Sequence, residues 1–169
     1  MTGALLVLGG ARSGKSRYAQ ARAEATGLSP VFVATAQAHD TEMADRIARH
    51  RDDRDVRWRT IEEPFALPDL IAREAGGDRI LLIDCLTLWA SNLMLAERDG
   101  EAEGALLVRA ICAAHGPLIL VSNEVGLGIV PDNALARRFR DVAGRINQQV
   151  AAACAEVQFL AAGLPLRLK

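Results

Sequence analysis

Eight consecutive residues, Gly9-Gly10-Ala11-Arg12-Ser13-Gly14-Lys15-Ser16, join three glycines to a lysine and a hydroxyl directly after the apolar run 4–8. The spacing GxxxxGKS is that of a phosphate-binding loop. Its glycines let successive backbone N–H groups converge on the oxygens of a di- or triphosphate, where side chains would block the approach. Lys15 would reach the β and γ phosphates as a point charge, and Ser16 would offer its hydroxyl to Mg2+. The positive end of the following helix would face the anion. All eight residues are therefore candidate nucleotide ligands, with Lys15 also a candidate catalytic cation and Ser16 a candidate metal ligand.

A loop of this kind needs a strand behind it and a helix in front. Residues 4–8 supply the apolar strand. The run after Ser16 is rich in strong helix formers and closes near Gly27. Further along, residues 31–35, 79–84 and 117–121 read as buried strands, with a shorter strand over 56–62. Helices are expected over 41–51, 65–75, 86–98, 105–115 and 132–155, the last with a possible break at Gly144. Residues 99–104 read as a polar loop. Residues 157–162 and 166–169, on either side of Gly163-Leu164-Pro165, read as a closing hairpin. Strands alternating with helices imply a parallel sheet with right-handed crossovers. The expected fold is a single α/β P-loop domain over 1–169: a mostly parallel sheet flanked by helices, with an antiparallel edge hairpin at the C-terminus.

In such sheets ligands lie outside the carboxyl ends of the strands. That rule gathers the loop, Thr35, Asp84 and Asn123-Glu124 from four separate places in the sequence. Asp84 closes the apolar run 80–83 as a Walker B carboxylate does, a second candidate Mg2+ ligand.

Histidine and arginine chemistry is sparser. Met43, Ile47 and His50 share one face of the helix expected over 41–51. His50 reads either as a nucleophile, since an imidazole with a pKa of about 6.5 is mostly neutral at pH 7, or as a histidine favoured by a helix C-terminus. Arg12, Arg46, Arg137, Arg138, Arg140 and Arg145 have the fork that holds phosphate, though arginines on helices are commonly solvated or paired, as Arg137 is expected to be with Asp141. Arg46, one turn before His50, is the preferred exception. Trp58 and Trp89 are expected in the core.

Composition narrows the classes. In 169 residues, 20 basic against 21 acidic side chains give no argument for a nucleic-acid partner. Half the residues are hydrophobic but only 4% are aromatic, so the core must be aliphatic, as in a helix-covered parallel sheet. The three cysteines stand far apart in apolar surroundings without metal-ligand spacing. No run approaches a membrane span, so a cytoplasmic protein without membrane insertion is expected.

Taken together, LGGARSGKS at 8–16, VATAQA at 33–38, EMADRIARHR at 42–51, WRTIEEP at 58–64, DCLTLWASN at 84–92, SNEVGLGIVP at 122–131 and ARRFRDVAGRINQQVA at 136–151 resemble the bifunctional adenosylcobinamide kinase and adenosylcobinamide-phosphate guanylyltransferase family of cobalamin biosynthesis. Asp84 stands where some relatives carry Glu, which keeps a carboxylate but changes its reach. The resemblance implies ATP or GTP as phosphoryl donor to adenosylcobinamide, then transfer of GMP from GTP to the phosphate through a covalent guanylyl-histidine at His50. It also implies Glu62 among the nucleotide ligands, a preference for GTP, and a homotrimer. Two rivals stand beside it: a plain small-molecule kinase, in which His50 is incidental, and a P-loop ATPase module that moves a partner.

Overall fold

The computed structural model describes residues 3–37 and 55–169. Among them are seven strands: β1 (Ala4–Gly9), β2 (Ser29–Ala34), β3 (Arg59–Glu62), β4 (Arg79–Asp84), β5 (Leu118–Asn123), β6 (Glu156–Ala161) and β7 (Leu164–Arg167). Five helices join them: α1 (Lys15–Glu24), α2 (Leu67–Glu74), α3 (Leu86–Leu95), α4 (Gly100–Ala113) and α5 (Ala134–Ala153). The strands form one sheet in the order β3-β2-β4-β5-β1-β6-β7. Every pairing is parallel except β6 with β7, the antiparallel hairpin at one edge.

The central strands are apolar along their whole length because both faces are covered. One face carries Leu6, Leu8, Val33, Leu81, Ile83 and Leu120 into a core shared with α2, α3, α4 and α5. The other carries Leu5, Val7, Phe32, Leu82 and Val121 against Ala19 and Ala23 of α1 and against Trp58. Both tryptophans are core residues, as expected. Trp89 is fully buried and its indole N–H donates to the Phe65 carbonyl at 2.8 Å, while Trp58 meets Phe32 edge-on and donates to Glu24 at 3.1 Å.

Several local expectations are corrected. Residues 100–104 are not a loop but the first turn of α4, capped by the Asp99 carboxylate, which accepts from the N–H groups of Glu101 and Ala102. The glycines there serve packing: a Cβ on Gly100 would lie 2.7 Å from Val142 Cγ1 of α5. Helix α5 runs unbroken through Gly144. The hairpin turns on Ala162-Gly163 alone, so Leu164 and Pro165 belong to β7. Arg137 donates to the carbonyls of Pro131 and Asp132, not to Asp141, which pairs with Arg140. Strand β2 starts at Ser29 with Pro30 inside it, and β3 is confined to four residues.

Candidate functional site

The loop between β1 and α1 is bent by backbone conformations that its sequence permits. Gly9 has φ 152° and a Cβ there would drive into the Leu160 carbonyl oxygen of β6; Gly14, at φ 94°, is the N-cap of α1. The hairpin turn braces the loop from beside it, the Gly163 N–H donating to the Ser13 carbonyl at 2.9 Å. Lys15 opens α1 and is buried, its ammonium 2.5 Å from the Gly10 carbonyl and 3.4 Å from Ser13 Oγ. The cation is thus folded back over the loop, held by oxygens of Gly10 and Ser13, at the positive end of a helix.

Ser16, the next residue, turns the other way. Its hydroxyl donates to Asp84 Oδ2 at 2.7 Å, bringing the loop to the end of β4. Strand β4 does not adjoin β1; β5 lies between them, so the contact crosses the end of an intervening strand. A hydroxyl and a carboxylate form an all-oxygen donor pair, suited to a small hard cation that takes one or two protein ligands and completes its shell with water and phosphate oxygens. Among the described residues no group of three or more His, Cys, Asp or Glu could hold a metal.

Thr35, a candidate ligand at a strand's carboxyl end, turns its hydroxyl to Cys85. It is fully buried just beyond β2, and its hydroxyl donates to the Cys85 carbonyl and accepts from the Cys85 N–H, both at 2.8 Å. Its own carbonyl accepts from Asn92 Nδ2 at 2.8 Å. The Asp84–Cys85 peptide bond is cis. Burial pushes the Cys85 thiol up to about 11, helped by the neighbouring Asp84 charge. A second buried pair ties the strand ends together: Thr87 Oγ1 lies 3.2 Å from Ser122 Oγ and accepts from the Asn123 N–H at 2.7 Å.

Glu124 follows β5 alongside the loop. Its N–H donates to the Gly9 carbonyl at 3.0 Å and its carboxylate accepts from the Gly126 N–H at 2.5 Å. Together with Leu8, Arg140, Arg145, Asn147 and others of α5 it lines a cavity of about 490 Å³ next to the loop. Arg145 is paired with Glu101 at 2.7 Å. Glu62, exposed, ends β3 in register with Ala34 and Asp84, so it stands two strands from Asp84, roughly 10 Å along the same edge. Arg46, His50 and the helix expected over 41–51 lie outside the described residues.

The structure therefore brings Lys15, Ser16, Asp84 and Glu124 to one edge from three separate segments, and puts Glu62 farther along it. Sequence reasoning did not single out Asn92, Thr87 or Gly163. Asn92 and Thr87 sit within a helix where nothing in the sequence marks which backbone groups they meet, and Gly163 carried only the signal of a turn.

Lys15, Ser16, Asp84 and Glu124 all fall within the stretch that comparison with known proteins matches. The sequence profile of the cobinamide kinase / cobinamide phosphate guanyltransferase family matches residues 5–168. The bifunctional adenosylcobalamin biosynthesis protein CobP of Pseudomonas aeruginosa is 51% identical over 168 residues, covering 97% of this chain and 96% of the relative. The bifunctional adenosylcobalamin biosynthesis proteins CobU of Salmonella typhimurium and of Escherichia coli are 41% and 39% identical, each over 98% of this chain and 99% of the relative. With a match that runs from β1 into the C-terminal hairpin and past it, the chain belongs to the cobinamide kinase / cobinamide phosphate guanyltransferase family.

Proposed function

We propose that this chain is a bifunctional transferase of cobalamin biosynthesis: it phosphorylates adenosylcobinamide with ATP or GTP, then transfers GMP from GTP to adenosylcobinamide phosphate, releasing pyrophosphate. The observation that carries the reading is the meeting of Lys15, Ser16 and Asp84 at the carboxyl edge of a parallel sheet, in a chain that belongs to this family along nearly its whole length.

In the first reaction the hydroxyl oxygen of the aminopropanol arm attacks the γ-phosphorus, the bond from Pγ to the β-bridging oxygen breaks, the nucleoside diphosphate leaves with that electron pair, and the hydroxyl proton is lost to solvent. The chain's part is positioning and charge. Backbone N–H groups of 9–16 hold the phosphates, Lys15 neutralises charge that builds on the β and γ oxygens, and Ser16 with Asp84 would hold Mg2+. When bound there, Mg2+ would supply further neutralisation of phosphate charge. Glu124 and Glu62 extend the edge as polar groups for the rest of the nucleotide.

In the second reaction a neutral imidazole nitrogen of His50 attacks the α-phosphorus of GTP and pyrophosphate leaves. A phosphate oxygen of adenosylcobinamide phosphate then attacks the same phosphorus, the N–P bond breaks, and adenosyl-GDP-cobinamide is released. Arg46 would hold phosphate oxygens during this exchange. The protein acts in the cytoplasm as a homotrimer, and no helix among the described residues is long and apolar enough to cross a membrane.

The test is covalent labelling. With Mg2+ and GTP labelled at the α-phosphate, the protein should take up label that survives denaturation, is released by acid and resists base, as a phosphoramidate does. GTP labelled at the γ-phosphate should leave none there. His50→Ala should lose the label and GMP transfer while still binding Mg·GTP. Retention of α-label by His50→Ala moves the nucleophile elsewhere, and γ-transfer without α-label in wild type reduces the protein to a kinase.

A further inference from the structure

We propose that Thr35, anchored by Asn92, is the positioning residue that aims the Asp84 carboxylate at the metal and Ser16. The inference rests on reading the Lys15–Ser16–Asp84 edge as a Mg·nucleotide site.

Asp84 ends β4, where the ladder that holds a strand straight runs out. Its side chain is only partly buried, yet it must present one oxygen to Ser16 at 2.7 Å. What fixes it is the peptide that follows. Thr35 takes hold of it with two groups, its hydroxyl and its backbone N–H. Its hydroxyl accepts from the Cys85 N–H and donates to the Cys85 carbonyl, both at 2.8 Å, and its backbone N–H donates to the Asp84 carbonyl at 3.3 Å. The N–H and C=O of the peptide joining Asp84 to Cys85 are therefore both bonded to one residue of β2's end. With both held, the plane of that peptide is set, and with it the direction in which the Asp84 Cα–Cβ bond leaves the chain.

Thr35 is itself immobilised. It is fully buried, and Asn92 Nδ2 donates to its carbonyl at 2.8 Å and to the Pro64 carbonyl at 3.1 Å. Asn92 lies in α3, packed by Trp89 and Leu93 into the larger core, so the chain of bonds runs from a helix through β2 to the end of β4. Nothing in it needs to touch nucleotide. Partners that orient a metal-ligating carboxylate typically change metal affinity by ten- to a hundredfold when removed.

The experiment measures nucleotide affinity with and without Mg2+, by titration with a fluorescent GTP analogue, in wild type, Thr35→Val, Thr35→Ser, Asp84→Asn and the double variant Thr35→Val/Asp84→Asn. Thr35→Val should raise the Mg2+ concentration for half-maximal tight binding by about tenfold and leave affinity in EDTA within about twofold of wild type. Thr35→Ser, which keeps the hydroxyl, should restore the Mg2+ dependence. In the Asp84→Asn background Thr35→Val should add no further shift. Should Thr35→Val not accumulate as folded protein, Thr35→Ala removes the same hydroxyl without setting a methyl against the Cys85 peptide and is measured in its place. A wild-type Mg2+ requirement in a folded hydroxyl-less variant overturns the positioning role, as does an equal loss of affinity with and without Mg2+. Wild type showing no Mg2+ dependence overturns the reading of the site itself, a result distinct from either.

Discussion

Ser16 and Asp84 are hydrogen-bonded at 2.7 Å although 68 positions separate them and their segments belong to strands that do not pair. The contact is possible because α1 rises from the loop and crosses the end of β5, so the helix's second residue reaches past the neighbouring strand to the next. Lys15, one residue earlier, points back over the loop instead. Adjacent residues at a helix start lie about 100° apart around the axis, so one turns to the phosphates and the other to the carboxylate.

Removing the Lys15 cation or the Asp84 charge should weaken nucleotide binding to different degrees. Lys15→Ala deletes a cation from the phosphate cradle and is expected to lower affinity for ATP and GTP roughly ten- to a hundredfold. Asp84→Asn keeps the shape and loses the charge, so its effect should be about tenfold or more and confined to measurements with Mg2+. Calorimetric titrations giving Lys15→Ala the affinity of wild type would sink the assignment of the loop.

Gly9→Ala should disrupt the fold as well as the loop. The obstacle is the Leu160 carbonyl of β6, a backbone atom in the sheet that cannot swing away as a flexible side chain would. A loss of about 2 kcal/mol in urea unfolding is expected, with weakened nucleotide binding. A variant as stable as wild type would show that β6 can yield at this point.

The bidentate pair of Arg22 on α1 with Glu156 at the start of β6 should make stability depend on acid pH. The Arg22 guanidinium at 2.8 and 2.9 Å holds the Glu156 carboxyl down at about 2, against an ordinary 4.5. A carboxyl lowered in the folded state contributes fully above its unfolded pKa and loses that contribution as pH falls through its folded one. Both side chains are partly exposed, so the contribution at pH 7 should be about 1 kcal/mol. Glu156→Gln should therefore melt below wild type at pH 7, and the gap should close between pH 4.5 and about 2. A gap that is constant over that range would contradict the ionised pair.

Thiol labelling should separate the three cysteines. Cys85 and Cys154 are buried, and loss of hydration pushes their thiols up to about 11 and about 12, while Cys112 is exposed. With a disulfide reagent at pH 8, Cys112 should react first and the other two on unfolding. The fast phase should vanish in Cys112→Ser. A fast phase persisting in that variant would mean that one of the buried thiols opens readily.

Much of the site was legible because its parts carry local signals. The GxxxxGKS spacing requires glycine where a side chain would strike β6 or strain the backbone, and the run 80–83 ends in a carboxylate where a buried strand reaches water. The reading of 99–104 as a loop failed because two glycines outweighed the cap: Asp99 followed by acids at 101 and 103 is a helix start, and the glycines are there so that α4 can approach α5 closely. Arg137 was matched to Asp141 by spacing, but at the first turn of α5 it meets nearby carbonyls of the preceding loop first.

By itself, then, the sequence determined what depends on neighbours along the chain: the alternation of strand and helix, the loop's conformation, the buried runs of a sheet covered on both faces, and the antiparallel closing hairpin. It also carried the family's motifs. Only the tertiary structure decided that β5 stands between β1 and β4, that Ser16 reaches across its end to Asp84, and that the Thr35 hydroxyl meets the Cys85 backbone. Those outcomes depend on strand order and on which buried hydroxyl finds which backbone group. A threonine after an apolar strand has the same sequence whether its hydroxyl faces nucleotide or Cys85, and the choice is made by what the fold packs beside it.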